Sequence, residues 1–368
     1  MGLDQRPLEA KLEAESEAAG GPVAPATRRA ESPEVIQQID ALIESMGGSP
    51  SSSEARLIRE IIQTGLKLVP DGRDTGELKL MSTSLKELRY AYRVFAKFKE
   101  PHKVTIFGSA RTPEAHPDYA AAVEFSRLMR DAGWMAITGA GMGIMKAGHV
   151  GPGREQSFGV AIRLPFETNA NEIISGDEKL IHFRYFFTRK LMFISQAEAV
   201  ALFPGGFGTM DEAFEALTLV QTGKATPMPI VLLEGAGGDY WKSWETWVRK
   251  QLLDRGWVSP EDPAIYKLCA SPKEAAEHIV KFYRNYHSSR YVRDDFVIRL
   301  KARLKEEDVA KLSKEFKVII KEGEIRQGGP LEGEGDHPEL PRLSFRHTRS
   351  KFGVVRRLID RINDLEPA

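Results

Sequence analysis

The pattern of apolar and polar positions changes character along the chain. From Glu34 to about Lys99, apolar residues recur at helical spacing, as in VIQQIDALIESM, ARLIREIIQTGLKLV and LKELRYAYRVFAKF. From Lys103 the pattern becomes a series of short apolar runs, each ended by glycine or followed by a helical segment: VTIFGSA, WMAITGAG, SFGVAIRLP, AVALFPGG and PIVLLEG. This alternation predicts a doubly wound parallel α/β sheet with helices on both faces.

The flanks of this region differ from it. Residues 1–32 are rich in Ala, Glu, Gly and Pro, which predicts a disordered tail. After about Ser288 the segments DDFVIRLKARL, EEDVAKLSKEF, RLSFRHT and FGVVRRLIDRIND predict a small mixed α+β region. The predicted organisation is a tail (1–32), a helical extension (33–100), a Rossmann-like α/β domain (101–287) and a small α+β appendage (288–368).

Charge and cysteine content exclude several classes of partner and site. Lys+Arg and Asp+Glu both number 52, so no net charge draws the chain to nucleic acid or to an anionic membrane. A single cysteine, Cys269, excludes an intrachain disulfide and a cysteine-rich metal site. The N-terminal residues lack a signal-peptide pattern, and no apolar stretch reaches the ~18 residues of a spanning helix. We therefore expect a cytoplasmic protein with neither membrane nor nucleic acid as its partner.

Three predicted strand ends carry glycine, which makes their loops candidates for anion binding. In an open parallel sheet, ligands bind beyond the carboxyl ends of the strands, where strand order reverses. A helix amino terminus there offers N–H groups and partial positive charge, and glycine lets a phosphate reach the amides. The loops are IFGSAR with Gly108, Ser109 and Arg111; ITGAGMGIMKAG with Gly139, Gly141, Met142 and Gly143; and ALFPGGFGT with Gly205, Gly206, Gly208 and Thr209.

These loops differ from the standard nucleotide-binding motifs. Residues 139–143 have the spacing Gly-x-Gly-x-Gly rather than Gly-x-Gly-x-x-Gly, and the chain has no Gly-x4-Gly-Lys-Ser/Thr run. Each loop alone is also compatible with a simple tight turn between strand and helix. Gly-x-Ser-x-Gly and His-Glu-x-x-His are absent too, which disfavours a serine hydrolase and a zinc protease.

Three charged residues near these loops are candidates for chemistry. Thr209 and Glu212 have the spacing of a capping box, in which Glu212 would fold back on the helix start; alternatively, Glu212 serves a ligand. The segment HFRYFFTRKLMFISQ (182–196) is apolar nearly all round a helix, which predicts burial, yet it contains Arg189 and Lys190. Buried cations need partners or a ligand. Arg189 is the better substrate contact because its planar fork can bind phosphate or carboxylate bidentately.

The residues 189–192 (RKLM) and 204–212 (PGGFGTMDE) carry a family resemblance. Together they resemble the Lonely Guy (LOG) phosphoribohydrolases, often labelled lysine decarboxylases, whose hallmark is Pro-Gly-Gly-x-Gly-Thr-x-x-Glu. The resemblance spans roughly residues 103–287. Phe207 takes the place of a frequent Tyr and Asp211 that of a frequent Glu.

The resemblance implies hydrolysis of the N-glycosidic bond of a nucleoside 5'-monophosphate, of the AMP or cytokinin-riboside-monophosphate type, to free base and ribose 5-phosphate. It implies no cofactor and no metal, and a homodimer or higher homo-oligomer. Catalysis is then assigned to Arg189 and Glu212, with Glu212 binding the ribose hydroxyls or orienting the attacking water. The implied phosphate contacts are Gly108, Ser109, Gly205, Gly206, Gly208 and Thr209, and the other substrate contacts are Gly141, Met142, Gly143 and Lys190.

Other functions remain as alternatives. A decarboxylase would need a lysine that forms a Schiff base with pyridoxal phosphate, and only Lys146 and Lys190 lie near the glycine loops. Molybdenum cofactor carriers resemble the same fold and share a Pro-Gly-Gly loop, so a noncatalytic nucleotide or cofactor carrier is the main alternative. A single-strand DNA binder would rely on the basic segment RLSFRHTRSKFGVVRRLIDR, which is more typical of a solvated helix face.

Overall fold

A computed structural model of the chain describes residues 29–163 and 170–368. The chain separates into two units, residues 1–85 and residues 86–368. The predicted disordered tail falls almost entirely on residues 1–28, outside the described residues. Among the described residues, none of the helices combines the length and apolar character needed to cross a lipid bilayer.

The first unit is helical, as the apolar spacing predicts. It contains α1 (Pro33–Ser45), α2 (Ser53–Asp71) and the start of α3 (Thr75–Phe95). Ser32 and Ser52 precede the first two helices, and each side chain accepts a hydrogen bond from a first-turn amide, which favours helix initiation. Ile39, Ile43 and Ala55 form the small buried contact between α1 and α2.

The second unit is built on a seven-stranded sheet. Its strands are β1 (Lys103–Phe107), β2 (Met135–Thr138), β3 (Ser157–Ile162), β4 (Leu180–Phe183), β5 (Ala199–Leu202), β6 (Ile230–Leu232) and β7 (Tyr266–Leu268). The helices between them are α4 (Pro117–Asp131), α5 (Ile144–Val150), α6 (Phe186–Ser195), α7 (Phe207–Gln221) and α8 (Tyr240–Val248), and α9 (Pro272–Phe282) follows β7. All neighbouring strands run parallel in the order β4-β3-β2-β1-β5-β6-β7, which confirms the predicted Rossmann-like class.

Alternate residues of the central strands supply two separate hydrophobic cores, one on each face of the sheet. Val104 and Ile106 of β1 belong to one buried cluster, whereas Phe107 belongs to the other. Every residue of β1, β2, β5 and β6 is buried. Strands covered on both faces read as continuous apolar runs, and for this reason they were visible in the sequence.

The strand order reverses between β1 and β5. From β1 the chain first builds outward through β2, β3 and β4, and it then returns to place β5 on the other side of β1. Ala199 pairs with Val104 in this register. The loops that follow β1 and β5 therefore leave the sheet side by side at its carboxyl edge, where ligands bind in open α/β sheets.

The remaining strands form a second, antiparallel sheet, which confirms the predicted mixed α+β region. Its order is β10-β11-β9-β8, from β8 (Tyr286–Val292), β9 (Asp295–Leu300), β10 (Ile320–Gly328) and β11 (Arg342–His347), and its helices are α10 (Glu306–Glu315) and α11 (Phe352–Asp364). Leu358 and Ile362 of α11 lie in the same buried cluster as Val104 of the parallel sheet. The two sheets thus share one core, while the boundaries at residues 32, 100 and 287 stay predictions.

Candidate active site

A cavity of about 720 Å³ opens at the carboxyl edge of the parallel sheet, where the β1 and β5 loops meet. It brings together eight of the residues predicted from the sequence: Gly108, Ser109, Arg189, Gly205, Gly206, Gly208, Thr209 and Glu212. Arg111 and Gly139 also line it. The cavity therefore joins the β1 and β5 glycine loops, and Gly139 of the third, to the charged residues that the sequence singled out.

The amino terminus of α7 forms one wall of this cavity. The helix begins at Phe207, Gly206 occupies the N-cap position, and no side chain among the described residues caps it. The N–H groups of the first turn have no acceptor within the helix, so this end carries partial positive charge. The capping-box interpretation is therefore wrong: Thr209 is the third residue of the helix, because the helix starts two residues before the predicted cap.

The β5 loop turns closely against the β1 loop. The Ser109 amide donates to the Pro204 carbonyl at 3.0 Å, and the Tyr240 hydroxyl donates to the Gly205 carbonyl at 2.6 Å. A Cβ atom at Gly205 would lie 2.1 Å from Thr209 Oγ1 and 3.0 Å from the Ser109 nitrogen. Glycine is needed here because a side chain would clash with Thr209 and crowd the Ser109 amide of the β1 loop.

Glu212 lies one turn further into α7 and is buried, with 7% of its surface exposed. Its Oε2 atom has no hydrogen-bond partner among the described residues. Burial raises the pKa of Glu212 to about 7, although Lys190 and Arg189 favour the charged form; nearby Glu215 and Asp211 add to the rise. A buried carboxyl group that titrates near neutral pH can hold or release a proton during a reaction.

Arg189 enters the cavity from α6. Its Nε donates to the Val160 carbonyl of β3 at 2.8 Å, and its guanidinium lies 5.0 Å from the centre of the Phe193 ring. These contacts fix the plane of the guanidinium and direct it toward the carboxyl edge. A cation and a buried acid thus line the same cavity.

The glycine loop after β2 packs against the β1 loop. Gly141, Met142 and Gly143 do not line the cavity. Gly143 has a positive φ of 61°, and a Cβ atom there would lie 2.3 Å from the Ser109 carbonyl oxygen. The Ile144 amide donates to that same oxygen at 3.0 Å. This loop therefore positions Ser109.

Lys190 also lies outside this cavity. Its ammonium group lies 2.8 Å from Asp211 and 2.6 Å from Glu215, two acids of α7. Although burial alone would lower the pKa of Lys190, the hydrogen bonds that it donates to these carboxylates raise it. Lys190 therefore ties α6 to α7 and acts on Glu212 through space.

Sequence reasoning missed a buried polar network behind the β2 loop. The Asn171 amide nitrogen donates to the carbonyls of Ala140 and Gly141 at 3.0 Å each, and it lies 3.1 Å from His149 Nδ1. Ala140 is held at a positive φ of 65°. No local pattern marks this network, because Asn171 is 30 residues from Gly141 in the sequence.

Comparisons with known proteins point to the same part of the chain. Residues 142–279 match a family model described as "Possible lysine decarboxylase". The matched segment includes Arg189, the β5 loop and Glu212, whereas Gly108 and Ser109 of the β1 loop precede it. A search of curated protein sequences found no significant match.

Several solved structures resemble about half of this chain. The structural-genomics target TM1055 is 21% identical, with 49% of this chain and 99% of that chain covered and a TM-score of 0.35. The molybdenum cofactor carrier protein from Chlamydomonas reinhardtii is 18% identical, with coverages of 50% and 98% and a TM-score of 0.35. DNA processing protein A from Helicobacter pylori is 12% identical, with coverages of 51% and 83% and a TM-score of 0.34.

Proposed function

We propose that this chain is a LOG-type phosphoribohydrolase, which hydrolyses the N-glycosidic bond of nucleoside 5'-monophosphates to free base and ribose 5-phosphate. The observation that carries the proposal is the Glu212 carboxyl group. It is buried, its Oε2 has no hydrogen-bond partner among the described residues, and it lines a cavity whose wall is a helix amino terminus. An acid beside an anion-binding helix end suits a phosphorylated sugar.

In this proposal the 5'-phosphate binds at the start of α7. The amides of the first turn and the hydroxyls of Thr209 and Ser109 supply hydrogen-bond donors, and the helix supplies positive potential. Phe207 is 97% exposed and, with Phe186, lines the same cavity. These aromatic side chains offer a surface on which a planar base can stack.

Glu212 would then act on the sugar. Cleavage breaks the bond between C1' and the base nitrogen, the electron pair and a proton go to the base, and a water oxygen bonds to C1'. The sugar carbon becomes positively charged as the base departs, and an ionised carboxylate nearby stabilises that charge. The same carboxylate can bind the ribose hydroxyls or orient the water. Arg189 would position the nucleotide and balance the charge of Glu212.

The decarboxylase alternative does not fit the lysines of this site. Lys146 lies 2.7 Å from both Glu114 and Glu172, and hydrogen bonds to these two carboxylates raise its pKa. Lys190 is held in the same way, and neither lysine lines the cavity. A Schiff base with pyridoxal phosphate requires a neutral amine at the site, and both lysines are stabilised as cations.

Base release from a panel of nucleoside monophosphates and the matching nucleosides tests the proposal. We expect release, followed by chromatography, from one or more monophosphates and from none of the nucleosides, because the phosphate anchors the substrate. The base released most efficiently identifies the preferred substrate. Nucleotide binding without release of any base would contradict the proposal and favour a carrier.

The activity should rise with pH through neutrality. Because burial raises the pKa of Glu212 to about 7, the carboxyl group is protonated below that pH, and the active carboxylate fraction falls about tenfold per pH unit. We expect kcat to increase between about pH 5 and 8 and then to level off. The substrate phosphate itself titrates near pH 6, so kcat is measured at saturation beside kcat/KM. A kcat that falls over this range would instead assign Glu212 as a general acid.

A further inference from the structure

A glutamate of α3 binds the beginning of the helix that carries Arg189. The Glu87 carboxylate accepts a hydrogen bond from the Arg184 amide at 2.6 Å and another from the Thr188 hydroxyl at 2.6 Å. Helix α6 begins at Phe186, and its N-cap residue Tyr185 provides no side-chain cap. Glu87 therefore places a negative charge beside this helix start, which the partial positive charge there favours, and it binds one residue before the helix and one in its first turn.

The part of α3 that carries Glu87 is firmly attached to the parallel sheet. Phe95 stacks on Phe158 of β3 at 4.4 Å between ring centres, and Phe98 meets the same ring edge-on at 5.3 Å. Ala91 and Val94 are buried in the same core. Glu87 thus acts from a fixed position, because several buried contacts hold this half of the helix.

The same strand also contacts Arg189 directly. Phe158 of β3 holds α3, and the Val160 carbonyl of β3 accepts the hydrogen bond from Arg189 Nε at 2.8 Å. Thr188, the residue bound by Glu87, immediately precedes Arg189 and is fully buried. Two contacts therefore position Arg189: Glu87 fixes the backbone next to it through Thr188, and Val160 fixes its side chain. Both contacts depend on β3, because α3 packs on Phe158 and Val160 belongs to the same strand.

We propose that Glu87 is a positioning residue for Arg189, so that α3, which precedes the family-matched segment 142–279, sets the activity of the site. This inference rests on the proposed function. Loss of the two hydrogen bonds would let the first turn of α6 shift, and displacement of a substrate-positioning group by about 1 Å can lower the rate on the order of 100-fold.

The test compares Glu87→Ala, Glu87→Gln and a matched control, Glu124→Ala, which removes an exposed glutamate from α4. In Glu87→Ala we expect kcat to fall by about 10- to 100-fold with a smaller change in KM. Glu87→Gln keeps one acceptor oxygen and should recover part of that loss. Glu124→Ala should match the wild type.

A double-mutant cycle with Arg189→Lys shows whether Glu87 acts through Arg189. If it does, Glu87→Ala should lower kcat by a much smaller factor in the Arg189→Lys background than in the wild type, because the effects of coupled residues are not additive. Equal costs in both backgrounds, or an unchanged kcat in Glu87→Ala, would overturn the positioning role.

Hydrogen exchange of peptides covering residues 184–192 tests the contact independently of activity. We expect faster exchange there in Glu87→Ala and unchanged exchange in Glu124→Ala. Unchanged exchange in Glu87→Ala would overturn the contact itself. A wild type that releases no base would overturn the proposed function and the positioning role together, while the exchange measurement would still decide whether Glu87 holds α6.

Discussion

Replacing Glu212 with glutamine should lower kcat by about 10²- to 10⁴-fold, the usual contribution of one positioned acid or base. Glutamine keeps the shape of the side chain but cannot carry the negative charge that stabilises the developing cation on the sugar. The amino-terminal end of α7, the proposed phosphate site, is left intact, so nucleotide affinity should change by only a few-fold. Initial rates and equilibrium binding, measured on the same preparations, separate the two effects.

Glu215→Gln is the matched control for this variant. Glu215 lies on the same helix but pairs with Lys190 and does not line the cavity, so its kcat should stay within several-fold of the wild type. Unfolding is not expected to explain the loss in Glu212→Gln. Above its raised pKa Glu212 is ionised, and a buried carboxylate lowers the stability of the folded protein; the neutral glutamine does not have this cost. Thermal unfolding at about pH 8 should show no loss of stability. Near-wild-type turnover in Glu212→Gln would remove Glu212 from the mechanism.

Arg189→Lys should lower kcat/KM by about 100-fold even though the positive charge is kept. A lysine cannot reproduce the planar fork, because its three N–H groups diverge from one nitrogen and cannot bind a phosphate through two parallel hydrogen bonds while a third donor binds the Val160 carbonyl. The variant also moves the charge relative to Glu212, whose ionised form Arg189 favours. Steady-state kinetics with the preferred monophosphate provide the measurement.

Arg184→Lys serves as the control for Arg189→Lys. Arg184 is an exposed residue just before α6, with its guanidinium 5.8 Å from the centre of the Tyr185 ring. The same substitution there should leave kcat/KM within about twofold, since surface changes are usually small. Equal losses in both variants would mean that the effect comes from the stability of α6, and equal activity in Arg189→Lys and the wild type would exclude a role for the guanidinium fork.

The parallel sheet and the residues that line the candidate site could be predicted in large part from local patterns. Buried parallel strands appear as apolar runs. The β5 loop carries glycine where it approaches the β1 loop, since a Cβ atom at Gly205 would lie 3.0 Å from the Ser109 nitrogen. The helix start was placed wrongly, since Gly206 takes the N-cap position that the Thr209–Glu212 spacing suggested for Thr209. Local spacing cannot distinguish an N-cap from a residue two positions inside the helix.

Other parts of the site depend on contacts between distant residues. Asn171 and Gly141 are 30 residues apart, and Glu87 and Thr188 are 101 residues apart. Asn171, Glu87 and Thr188 are ordinary polar residues, so nothing in the sequence around them indicates these contacts. The sequence also could not show that Gly141 and Gly143 lie outside the cavity, because only the folded arrangement shows that this loop contacts Ser109.

The core shared by the two sheets has a consequence for synthesis of the protein. Val104 and Ile106 of β1, which are made early, are buried together with Leu358 and Ile362 of α11, which are made late. In a nascent chain that has completed β7 but not α11, the apolar residues of this core that pack against α11 are therefore exposed. Exposed apolar surface of this kind is prone to aggregation and is a target for chaperones. We expect pausing of translation before α11 to lower the yield of folded protein.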